Sequence, residues 1–164
     1  MVGSEATKEK FLEEAPKTAV LHLATHSEID NINPMLSKMY FHKNDQTSGE
    51  LTASEVYDLE LQADLVVLSA CNTGIGKNES GDGVMNMSRA FTYAGVSSTV
   101  MSLWQVPDKE TSELMLLFYE NLEKGQLKSE ALRNAKLTYL ENVNEPELKH
   151  PYYWAGFVVN GDIA

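Results

Sequence analysis

The sequence predicts an α/β fold, a layered sandwich of helices around a mostly parallel sheet. Three observations predict it. Short apolar runs alternate with stretches of helical periodicity along the whole chain. The two strongest runs, residues 18–24 and 63–71, are short and largely apolar, of the kind buried in a parallel sheet. The 164 residues are 43% apolar and 23% charged, which suits one domain with a sizeable core and excludes a disordered chain.

The elements follow in order. Residues 5–14 read as a helix with Phe11, Leu12 and Ala15 on its apolar edge, stopped by Pro16. Residues 18–24 form the first strand, and 25–34 are polar and loop-like. Residues 39–41 suggest a short strand with its turn at 44–49. Thr52 and Glu55 have the spacing of a capping box and open a short helix. Residues 63–71 are the clearest strand, followed by a glycine-bearing loop over 72–82. Helical periodicity returns over 83–94, where Val84, Met87, Phe91 and Ala94 share a face and Gly95 supplies the stop. Residues 98–104 make a further strand. A long helix is expected from a cap at Asp108 to Gly125, another over 129–143, and an aromatic strand over 151–159. No repeat, linker or low-complexity segment interrupts the series.

Charge and composition narrow the function. Thirteen Lys and Arg stand against twenty-four Asp and Glu, a net charge of -11 that repels phosphate backbones and argues against nucleic-acid binding. No apolar run approaches the roughly 20 residues of a membrane-spanning helix. Met1-Val2-Gly3-Ser4-Glu5 lacks the basic flank and apolar stretch of a signal peptide, so a cytoplasmic protein is expected. Cys71 is the sole cysteine, which excludes an internal disulfide and a cysteine-based zinc site.

In a parallel sheet, reactive groups collect beyond the carboxyl ends of the strands. Three strand exits carry such groups here: Ala24-Thr25-His26-Ser27, Ser69-Ala70-Cys71-Asn72 and Trp104-Gln105-Val106-Pro107-Asp108. Each has a plain alternative. A lone cysteine ending an apolar strand is usually a small buried hydrophobe, a lone histidine a loop residue, and Asp108 a helix cap. The coincidence of the sole cysteine and a histidine at two strand exits favours chemistry, because a thiol nucleophile needs a base or proton donor within hydrogen-bond reach. His22 reads as a core residue inside its strand, His42 as a hairpin-edge residue and His150 as part of a turn before Pro151. The glycine loop is no phosphate cradle. Aligned on Gly76-Lys77, it has Cys71 where a P-loop has its first glycine and Asn78 where it has its hydroxyl.

Several blocks carry a family likeness: His22-Leu23-Ala24-Thr25-His26, Leu65-Val66-Val67-Leu68-Ser69-Ala70-Cys71-Asn72-Thr73-Gly74, Gly81-Asp82-Gly83, Ser102-Leu103-Trp104-Gln105-Val106 and His150-Pro151-Tyr152-Tyr153-Trp154-Ala155-Gly156-Phe157. In this order they resemble the CHAT family, caspase-like domains of the caspase–separase group of cysteine peptidases that are often joined to tetratricopeptide repeats in bacteria. The resemblance implies a caspase-like three-layer α/β/α sandwich. It implies that residues 1–164 form the catalytic, C-terminal half of a larger domain, with repeats upstream. It places the catalytic dyad on His26 and Cys71, and the oxyanion-binding N–H groups on Cys71 and Ser27, where the family often has glycine. No metal or organic cofactor is implied. The Trp104-Gln105-Val106-Pro107-Asp108 arrangement resembles that of separase-like relatives whose aspartate binds the basic residue before the cut. Asp108 is therefore expected to select Arg or Lys in a protein substrate, with Asp82 adding negative potential. The expected activity is that of a cysteine endopeptidase in a regulated bacterial signalling or defence pathway. The competing readings are a silent interaction module acting through the repeats and a small-molecule hydrolase or reductase that uses the thiol.

Overall fold

The structure is a computed structural model that describes residues 1–30, 32–44, 47–69 and 82–162, with the backbone alone over 82–86. Four strands form the main sheet: β1 (Val20–Leu23), β5 (Leu65–Leu68), β6 (Ser98–Ser102) and β7 (Phe157–Gly161), side by side in that order. β1 and β6 both run parallel to β5, and β7 returns antiparallel to β6. The mostly parallel sheet read from the sequence is therefore present. A second, three-stranded antiparallel ribbon consists of β2 (Ser27–Glu28), β3 (Lys38–Tyr40) and β4 (Glu50–Thr52).

β5 explains the layering. All four of its residues are buried, and they alternate between two cores. Val66 and Leu68 face a core shared with α1 (Lys8–Glu14), α2 (Ala53–Tyr57), α3 (Asp82–Tyr93) and the ribbon, through Phe11, Val56, Phe91, Met39 and Leu51. Leu65 and Val67 face a second core with α4 (Asp108–Glu123) and α5 (Lys128–Asn142), through Leu114, Phe118, Leu132 and Tyr139. Fully burying such a side chain stabilises the fold by roughly 1.5–3 kcal/mol. β1, at the sheet edge, is fully covered on one face only. Leu21 and Leu23 enter the first core, while Val20 remains 46% exposed on the α4 side.

Local chemistry sets the helix ends. Thr52 and Glu55 form the expected capping box in full: the Thr52 side chain accepts from Glu55 N, and Glu55 accepts from Thr52 N. Gly95 ends α3 with φ 107°, and a Cβ there would lie 2.3 Å from the Leu61 carbonyl oxygen. Only glycine fits that stop.

Three expectations are corrected. Residues 25–34 are not all loop, because Ser27 and Glu28 pair with Met39 and Lys38. A two-residue strand is too short to show a period in sequence. The aromatic segment at 151–159 is strand only from Phe157; Pro151–Tyr153 is a 3-10 turn, shaped by proline at its start. Asp108 does not cap α4. Pro107 occupies the N-cap position, no side chain caps the first turn, and Asp108 is the first helical residue.

Candidate active site

Because β1, β5 and β6 are parallel, their exits lie at one end of the sheet. His26 follows β1 by three residues and its side chain is exposed. Its backbone is fixed from the ribbon. His26 O accepts from Tyr40 N at 2.9 Å, and Thr25 Oγ1 donates to Tyr40 O. In an antiparallel ladder, hydrogen-bonded and non-hydrogen-bonded pairs alternate. The His26–Tyr40 bond therefore makes Ser27–Met39 a non-hydrogen-bonded pair, turning the Ser27 amide away from β3. Ser27 itself is 5% exposed.

The β6 exit is braced from the far end of the chain. Ser102 Oγ donates to Trp104 O at 2.5 Å, and Trp104 Nε1 donates to Tyr152 O at 2.8 Å. Gly156 lets this happen, since a Cβ there would sit 2.8 Å from Ser102 Oγ and 2.9 Å from the Trp104 ring. Val106 is buried, Thr111 N donates to Pro107 O at 3.0 Å, and Asp108 emerges exposed at the head of α4. Its carboxylate is thus directed to solvent rather than spent on the helix cap.

Cys71 lies outside the described residues, as does the side chain of Asp82, although Asp82 opens α3 in the backbone. The structure thus brings His26 and Asp108 to the same end of the sheet. It describes neither the thiol nor the loop over 72–81.

His22 differs from its sequence reading. It is no apolar core residue: it is exposed, and both ring nitrogens are engaged. Nε2 lies 2.7 Å from Ser69 Oγ, at the exit of β5, and Nδ1 lies 2.9 Å from the Tyr119 hydroxyl on α4. Partial burial between Ser69 and Tyr119 lowers the His22 pKa from its ordinary 6.5. Burial pushes the Tyr119 hydroxyl up to about 12, so it stays protonated at neutral pH. Ser69 and Tyr119 were not singled out in the sequence. The one signal that could have pointed to them was a polar histidine and serine interrupting two otherwise apolar parallel strands.

Among the described residues no group of three His, Cys, Asp or Glu side chains could hold a metal ion. No described helix is long and apolar enough to cross a membrane.

The profile of the CHAT domain matches residues 1–162, nearly the whole length. The chain belongs to the CHAT domain family. It is also similar to tetratricopeptide repeat protein 28 of human, at 31% identity over 98% of this chain, and to the mouse protein of that name, at 28% over 98%. The CHAT domain spans only 8% of the length of either relative. Both are mammalian proteins, and their names describe repeat proteins rather than an activity. The caspase-like family and the α/β architecture expected from the sequence therefore stand.

Proposed function

We propose that this CHAT domain is a cysteine endopeptidase that uses His26 and Cys71 as a dyad and cleaves after arginine or lysine. One observation carries the reading. β1 and β5 pair in parallel with Leu23 opposite Leu68, and three residues beyond each of these stand His26 and Cys71. The ladder runs on past the strand end, with Ser69 N donating to Leu23 O at 3.3 Å. In sequence, a histidine and the sole cysteine thus follow two adjacent parallel strands by the same number of residues, which supports reading them as a dyad.

The chemistry is acyl transfer through a thioester. The Cys71 sulfur attacks the scissile carbonyl, the C–N bond breaks, and His26 delivers a proton to the departing amine. Water, deprotonated by His26, then hydrolyses the thioester and restores the thiol. The backbone N–H groups of Ser27 and Cys71 serve the developing oxyanion. Asp108, exposed at the same end, takes the basic side chain before the cut, where a carboxylate offers both charge and bidentate geometry. Asp82 adds negative potential, and the net charge of -11 favours encounter with basic substrates. The domain acts in the cytoplasm, joined to tetratricopeptide repeats as in the relatives it resembles.

A peptide-library cleavage assay on the wild-type chain, Cys71→Ala and His26→Ala tests this. Cuts after Arg or Lys that vanish in both variants are expected. Cleavage by Cys71→Ala at the wild-type rate would sink the peptidase reading, and a profile of acidic residues before the cut would sink the role of Asp108.

A further inference from the structure

We infer that His22 is a positioning residue for the thiol, the middle of a side-chain relay from Tyr119 on α4 through β1 to Ser69 at the exit of β5. The inference deepens the dyad reading and rests on it. Ser69 is the last described residue before the segment that carries Cys71, two positions ahead of it. The backbone ladder is already weakening there, with Ser69 N at 3.3 Å from Leu23 O. The side chain is held more tightly: Ser69 is 8% exposed and its Oγ lies 2.7 Å from His22 Nε2. His22 is in turn held at 2.9 Å by the Tyr119 hydroxyl, whose ring packs beside it with centroids 5.6 Å apart.

A neutral imidazole suits this place because it donates through one nitrogen and accepts through the other on opposite sides of a rigid ring. Tyr119 can donate to Nδ1 while Nε2 donates to Ser69, or the whole series can reverse. In either direction the ring joins α4 to β5 across a strand that lies between neither of them in sequence. His22 sits four residues before His26 on the same chain, as Ser69 sits just before Cys71. The relay therefore fixes β5 against β1 just ahead, in sequence, of the segments that carry His26 and Cys71. A chain of this kind orients reacting groups through contacts that touch neither of them.

The sole cysteine makes the test clean, since every alkylation event reports on Cys71. Iodoacetamide alkylation rates are measured against pH for the wild type, His26→Ala, Tyr119→Phe, Ser69→Ala, His22→Ala and His22→Gln. Melting curves and the kcat and KM of a basic peptide substrate are recorded alongside. The wild-type thiol should react well below the range of a free cysteine, about pH 8.5, and His26→Ala should move it back toward that range. Tyr119→Phe and Ser69→Ala should slow alkylation at neutral pH by about tenfold, one unit of thiol pKa, and lower kcat with KM unchanged. His22→Gln, whose amide reaches the Nε2 position, should recover most of what His22→Ala loses. Folded Ser69→Ala and Tyr119→Phe proteins with the wild-type pH profile would overturn the relay, because a merely structural clamp lowers the melting temperature and leaves the thiol unchanged. A wild-type thiol that behaves as free cysteine and ignores His26→Ala would overturn the dyad reading and the relay with it.

Discussion

His22 and His26 stand four residues apart on one strand and its exit, yet they live in opposite conditions. His22 has both ring nitrogens committed, to Ser69 and to Tyr119. His26 is exposed, and among the described residues its ring takes part in no hydrogen bond, while its backbone is pinned to Tyr40. The difference teaches how a site is divided between holding and reacting. A ring with both nitrogens occupied can fix neighbours but has no lone pair to offer a substrate. A ring exposed to solvent on a fixed backbone can exchange a proton.

Removing the reacting member should have the largest effect on activity. His26→Ala is expected to lower cleavage of a basic peptide by at least about a thousandfold, while chemical denaturation shows stability within about 0.5 kcal/mol of wild type. A fall in stability as large as that of His22→Ala would break the contrast. Asp108 extends the comparison to a second exposed group at the same sheet end. Asp108→Ala should reduce cleavage after Arg relative to Ala by about a hundredfold. It should cost no more than about 0.5 kcal/mol, since only the helix-dipole contribution is lost where no cap bond exists. Unchanged selectivity in a library profile would remove Asp108 from the site.

The holding member should show itself in stability. His22→Ala leaves Ser69 without its partner and is expected to lower unfolding free energy in urea by about 2 kcal/mol, with Tyr119→Phe costing about 1 kcal/mol. Equal stability in all three proteins would mean that the relay holds nothing. The smallest effect is on pH. The His22 pKa is lowered in the folded state, so between that value and 6.5 the unfolded chain binds a proton that the folded one does not. Its contribution is complete above 6.5 and is lost as pH falls through the lowered value. His22→Gln should therefore flatten the decline in stability between about pH 7 and 5. An identical slope in the variant would count against burial as the cause of the lowered His22 pKa.

Much of this was legible in the sequence, and the reasons differ by residue. Leu65-Val66-Val67-Leu68 could only be a strand buried on both faces, and the Thr52–Glu55 box and Gly95 marked helix ends through chemistry confined to a few neighbouring residues. The exposed His26 beyond β1 was legible because strand exits in a parallel sheet are predictable places. The environment of His22 was not. Its partners come from positions 69 and 119, and nothing local to residue 22 announces either. Asp108 misled for a related reason. An acidic residue after proline reads as a cap, whereas Pro107 itself took that position because its fixed backbone already suits the turn before a helix. The β2 pairing escaped because Ser27 and Glu28 gain their order from Met39 and Lys38, a partner strand ten residues away.

The grip of Tyr40 on residues 25 and 26 has a mechanical consequence. Tyr40 holds the Thr25 hydroxyl through its carbonyl and the His26 carbonyl through its amide, so both residues travel with the ribbon. Ser69 travels instead with the main sheet, anchored to Leu23 and His22. Ala24 is the single residue between the two sets of anchors. The ribbon meets the main sheet through the core that Met39 and Leu51 share with Leu21 and Leu23. The place of His26 relative to the β5 exit is thus set by side-chain packing between two sheets rather than by one continuous ladder.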